Sequence, residues 1–313
     1  MGFFTNQSQV YFQTFQKEQY LFRFFVPRWH KEVIMSQTYL FKLLSGSVLL
    51  LGVVSSVCSI SVEKYLTMTS SQKNVLDQFR EKVEPIITTS YMKLDTYLIQ
   101  WLRARNFDID SAEAMLRENI KWRKENGIDE MKNEDWSDIS PDFHATFDTY
   151  DKTGRPIVVI DIYDWDIRRS VLQGKGKRGL RYVMSRVENV TGQVYERQEK
   201  LGMNVTQIVV LGNAEGFNVI QHGCPVCLSL WIQFVQYIEN YYPEVLDELI
   251  IIEATPAIQV VLEAIRPFLT RSNREAIKVF GTNKAKWMPY LDNKISKEER
   301  RERYGGTRPP VKY

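Results

Sequence analysis

Histidine and cysteine are both scarce, and each scarcity excludes a class of chemistry. The three histidines, His30, His144 and His222, are far apart in sequence. Histidine acid–base pairs and multi-histidine metal sites are therefore disfavoured. Three cysteines, Cys58, Cys224 and Cys227, are too few and too odd in number for a disulfide scaffold, and point to a reducing compartment. Charge of one sign is also missing. The 41 Lys+Arg against 38 Asp+Glu give a net charge of only +3, short of a nucleic-acid binder's footprint. No G-x-S-x-G elbow, internal repeat or low-complexity tract occurs. What is present is the mixture of a chain that buries a core, 44% hydrophobic and 25% charged. At roughly 150 residues per domain, 313 residues suggest about two domains.

Residues 1–67 differ from the rest. Ten aromatics fall within the first 30 residues, and 43–62 is a twenty-residue run without a charge. A helix of that length would just cross a hydrocarbon core of about 30 Å. A single-pass anchor is one expectation. Six serines and two glycines make the run only moderately apolar, and the flanking Lys and Arg give no orientation. A cleaved signal peptide fits worse, since the run starts more than forty residues in. The alternative is that translation begins at Met68, which makes 1–67 a mis-started gene model.

After Met68 the period is first helical. Val75, Leu76, Phe79, Val83, Ile86 and Ile87 share one face of a first helix, and 94–105 forms a second. A third is expected from Asp110, with Glu113 completing a capping box, to Gly127. From about 141 the chain alternates. Strands are expected over 156–163, 205–211, 249–253 and 277–280, with helices over 179–201, 225–241 and 257–268. This alternation predicts an α/β fold: a small N-terminal helical unit plus a mixed, mostly parallel sheet flanked by helices. The expected divisions are 1–67, 68–140, 141–307 and a tail at 308–313.

Two motifs have competing explanations. Gly174-Lys-Gly176-Lys-Arg-Gly179 satisfies G-x-G-x-x-G, but no strand directly precedes it, so a flexible basic loop is expected instead of a dinucleotide site. His222-Gly-Cys224-Pro-Val-Cys227 could be a redox C-x-x-C at a helix start. The favoured reading is two small, half-buried residues opening a helix. A second Cys/His pair to complete a zinc site is lacking. The carboxylates Asp164 and Asp166 belong to a polar surface stretch.

Several separate motifs in one order carry a family likeness. They are the stretch 98–128 with Trp101-Leu-Arg-Ala-Arg-Asn-Phe-Asp108, then Tyr150-Asp-Lys-Thr-Gly-Arg-Pro156, Glu239-Asn-Tyr-Tyr-Pro-Glu244, Ile265-Arg-Pro-Phe-Leu269 and Tyr304-Gly-Gly-Thr307. Over about 72–307 the chain resembles the CRAL-TRIO lipid-binding family, in particular its tocopherol-associated, phosphatidylinositol-transfer-like members. The chain stops six residues after Thr307, so the C-terminal β-sandwich of those members is expected to be missing.

The resemblance implies a non-enzymatic carrier, without cofactor, that encloses one lipid in an apolar pocket under a mobile helix. Two acyl chains of about sixteen carbons represent roughly 25 kcal/mol of gross transfer free energy at about 0.8 kcal/mol per CH₂, which calls for a large dry cavity. The lid is expected at 257–266, with Ile258, Val261, Leu262 and Ile265 on its inner face and prolines at both ends. Plain core helix accounts for the same pattern. Phe268, Ile208, Val210, Phe234 and Ile238 are expected to join them in the pocket. By the resemblance, Arg105, Glu244 and Arg266 serve an inositol-phosphate head group; Arg105 and Glu244 could equally be a structural ion pair. Arg266 stands where the family usually has Lys, and Ile208 and Val210 replace the hydroxyls of phosphatidylcholine-binding members. The expected partners are a lipid (phosphoinositide, tocopherol or similar) and a membrane surface, with no nucleic acid. The chain is expected to be a monomer and cytoplasmic, with transient membrane association. Rival expectations are a lipid-regulated signalling adaptor and, further off, a C-x-x-C redox protein.

Overall fold

A computed structural model describes residues 65–202 and 205–311. These lie within one compact unit, Ser56–Tyr313. The 43–62 run falls outside the described residues, and among those described no helix is long and apolar enough to cross a membrane.

Three helices open the unit: α1 (Ser70–Val83), α2 (Asp95–Ala104) and α3 (Ile109–Asn126). The Thr69 and Gln72 side chains cap α1 reciprocally, satisfying donors that the first turn leaves free. The cap of α3 lies two residues earlier than the spacing suggests. Asp108 accepts from the Ser111 N–H at 2.7 Å, and Glu113 faces Arg117 and Lys82 instead of closing a box. Gly127 ends α3 at φ +55°, in the left-handed region where an L side chain is strained. Buried Leu76, Phe79, Val83, Leu98, Leu102 and Leu116 bind the three helices into one cluster.

The second part follows as β1 (Ala145–Tyr150), β2 (Pro156–Asp161), α4 (Ile167–Leu172), α5 (Gly176–Leu201), β3 (Ile208–Asn213), α6 (Val219–His222) and α7 (Pro225–Tyr241). Then come β4 (Leu246–Ile252), α8 (Gln259–Ile265), α9 (Arg271–Ala276), β5 (Ile277–Val279) and α10 (Lys284–Lys294). The five strands lie in chain order, β1 antiparallel to β2 and the other pairs parallel. This is the expected mixed, mostly parallel sheet.

The pleat divides the sheet residues between two layers. Ile157, Val159, Val209, Leu211, Ile250 and Ile252 pack on Trp287 and Leu291 of α10 and on Ile295 at its end. Their alternates Val158, Ile160, Ile208, Val210, Leu249 and Ile251 face the other way, toward α5, α7 and α8.

The helical part is tied to this layer. Trp122 stacks on Tyr241 with ring centroids 3.9 Å apart, and Asn119 Nδ2 donates to the Tyr241 carbonyl at 2.9 Å. Arg123 forms a two-pronged pair with Glu188 of α5 at 2.9 and 2.8 Å, the fork geometry that arginine offers a carboxylate.

Two sequence expectations are corrected. The glycine motif is no flexible loop: Gly176 and Gly179 lie inside α5, where a Cβ would come within 3.3 Å of Val171 and 3.2 Å of Phe143. These glycines allow close packing. Lys175 and Arg178 beside them bond the 134–138 segment. The cysteines are not all free: Cys224 and Cys227 are joined by a disulfide, their Cα atoms 4.9 Å apart. Their i, i+3 spacing at the start of α7 puts both sulfurs on one face.

Candidate lipid site

Between the sheet and the helices α5, α7 and α8 lies a cavity of about 280 Å³. Each wall follows from local sequence periodicity. Strands β2, β3 and β4 supply every second residue. On α5, Val183, Val187 and Val190 recur at helical spacing; on α7, Leu230, Phe234 and Ile238 do so. Phe143, Trp165 and Phe217 close one side with rings.

Helix α8 supplies another wall. Proline is the first residue of the short 3₁₀ turn before it, Pro256–Ile258, and the second of the turn after it, Arg266–Phe268, and the regular helix between them is only seven residues long. It packs on α7. Ile258, Val261, Leu262 and Ile265 all line the cavity, as do Ile208, Val210, Phe234 and Ile238. Phe268 does not; it is 40% exposed, because the turn at Pro267 carries it past the wall and places Leu269 there instead.

Arg105, Glu244 and Arg266 stand away from this wall, and no hydrogen bond or ion pair joins any two of them. Arg105 caps the end of α2, is exposed, and turns its guanidinium to the Ala104 carbonyl at 2.9 Å. Glu244 occupies a left-handed turn at φ +57° and accepts from Ser272 Oγ at 3.1 Å. Arg266 is exposed and pairs with Glu263, one turn earlier, at 3.1 Å.

Sequence reasoning did not reach the α5 wall, Phe143, Trp165 or Phe217. The α5 stripe had a signal, Val183, Val187 and Val190 at spacings of four and three. The three aromatics come from connecting segments, where periodicity gives none. Beside the cavity, His222 is fully buried, stacks on Phe217 and accepts from the Asn218 N–H at Nδ1. Burial holds its pKa below the usual histidine value. Among the described residues no group of His, Cys, Asp or Glu is arranged to hold a metal ion.

The family profile described as CRAL/TRIO domain matches residues 142–306, just over half of the 313 residues. The chain belongs to the CRAL/TRIO family. The crystal structure of Sfh5 is similar to it in fold, with a TM-score of 0.58 at 14% identity over 77% of this chain and 88% of that one. The CRAL/TRIO match spans the whole sheet and every wall of the cavity. Membership places the chain among lipid-binding and lipid-transfer proteins, a group that generally works by binding and not by catalysis.

Proposed function

We propose that this CRAL/TRIO chain holds one lipid in the cavity between the sheet and α5, α7 and α8, and carries or presents it between membranes without reacting with it. The observation that carries this reading is the cavity itself. A void bordered by Val, Ile, Leu and Phe side chains on every wall gives up dispersion contacts unless a hydrocarbon fills it. Helix α8 is the lid in this reading: it is short, proline-bounded at both ends, and apolar toward the cavity. The helical part, 68–140, braces α5 and α7 from outside, and 141–307 is the binding domain.

The membrane contact is proposed at the outer side of the same region. Val219 and Ile220 on α6, Val226 on α7 and Val260 on α8 are exposed apolar side chains. A Cβ added at Gly223 would lie 3.5 Å from both Val219 and a Val260 methyl, so α6 and α8 adjoin there. Arg105, Glu244 and Arg266 are proposed to meet head groups at the membrane surface and not inside the cavity.

Transfer of a fluorescent lipid between donor and acceptor vesicles tests the reading. The full chain is expected to accelerate transfer, and Val261→Asp, which sets a carboxylate in the dry wall, to return it to the uncatalysed rate. Lipid binding without transfer would support a sensor or adaptor instead.

A further inference from the structure

We infer that the cavity is selective for hydrocarbon: its ligand is a lipid that bears no hydrogen-bonding group and is enclosed whole, such as an isoprenoid hydrocarbon. This rests on the carrier reading and specifies its cargo. The wall is virtually all carbon, and the reason is visible in each polar residue bordering it. Trp165 Nε1 donates to the His144 carbonyl at 2.9 Å, and Trp231 Nε1 to the His222 carbonyl at 2.8 Å. Asn273 Nδ2 is bound to Glu239 Oε1 at 2.8 Å, and Asn213 Oδ1 takes the Glu215 N–H at 2.9 Å. Arg186, the one charged residue at the wall, lends it the stem of its side chain. Its guanidinium lies over the Tyr182 ring at 4.8 Å and gives Nε and Nη2 to Ser185 Oγ at 3.2 and 3.1 Å. Tyr182 presents its ring and not its hydroxyl.

A hydroxyl, carboxylate or phosphate placed inside would thus face carbon on nearly every side, and it would surrender its water. Burying an unpaired polar group is costly; burying an unpaired charge is costlier still. A hydrocarbon suffers neither penalty. Val210, in the middle of the β3 wall, sits where a hydroxyl would be isosteric with a methyl.

The test is a competition. The full chain is incubated with phosphatidylcholine vesicles containing equal amounts of phytane, phytol and phosphatidylinositol, then re-isolated, and its bound lipid is quantified by native mass spectrometry and extraction. Phytane is expected to load over phytol by about tenfold or more, the cost of one unpaired hydroxyl, with phosphatidylinositol lower again. Val210→Thr, which adds one hydroxyl to the wall without changing its shape, is expected to narrow the phytane-to-phytol ratio several-fold. Loading of phytol or phosphatidylinositol equal to or above phytane would overturn hydrocarbon selectivity while leaving the carrier reading intact. A folded protein that takes up no lipid at all, phosphatidylcholine included, would overturn both.

Discussion

Lys294 at the end of α10 is almost fully buried between two carboxylates, its Nζ 2.6 Å from Asp247 Oδ2 and 2.8 Å from Glu248 Oε2. Asp247 also faces Arg155 at 3.3 Å, and Glu248 accepts the Tyr290 hydroxyl at 2.8 Å. Removing the one lysine leaves Glu248 buried with no cation beside it and Asp247 with Arg155 alone. Lys294→Met is therefore expected to lower unfolding stability by roughly 3–5 kcal/mol in chemical denaturation. An unchanged midpoint would mean that the network is solvated. His222 makes a pH prediction. Its folded pKa is depressed by burial, while the unfolded chain titrates near the ordinary value of about 6.5. Below that value the unfolded state binds the extra proton, so the contribution is fully present above about pH 6.5 and is lost as pH falls through the folded pKa. The melting temperature should drop between pH 7.5 and 5.5, and His222→Gln should flatten that drop. Equal slopes in the two proteins would contradict the assignment.

At the scale of elements, what the sequence disclosed and what it concealed have physical reasons. Strands β2, β3 and β4, covered on both faces, read as continuous apolar runs and are legible at once. Strand β1 passes for loop, because as an edge strand it carries Thr146, Asp148 and Thr149 among its six residues. Helix α10 is hidden by Pro289 in its interior, although Trp287, Leu291 and Lys294 keep helical spacing. Helix α8 shows its inner face plainly in the sequence, yet periodicity could not tell a lid from core helix, since both bury one stripe. The glycines of α5 argue against the usual rule. Alanine is normally better than glycine within a helix, but at Gly179 a Cβ would meet the Phe143 ring at 3.2 Å and Ser170 Oγ at 3.4 Å. Gly179→Val should cost about 1–3 kcal/mol by overpacking, seen as a lower melting temperature. A rise would show that α5 has room to move.

For the whole molecule, charge and apolar surface divide the work. Residues 1–67 hold six Lys+Arg and three Asp+Glu, which leaves 35 of each sign in the remaining 246 residues. A body of zero net charge has no long-range pull toward anionic membranes, so the exposed apolar group on α6, α7 and α8 is expected to dominate contact. Ile220→Asp together with Val260→Asp should weaken sedimentation with neutral vesicles severalfold at unchanged fold, whereas binding that persists in the double variant but vanishes in high salt would place the contact elsewhere. The central claim is that the cavity holds one lipid, and native mass spectrometry of the purified full chain, coupled to lipid extraction, addresses it most directly. A single adduct per chain is predicted, recoverable as a lipid and missing from folded Val261→Asp. A wild-type chain that stays at its bare mass after incubation with lipid vesicles, while its circular dichroism shows it folded, would contradict the account.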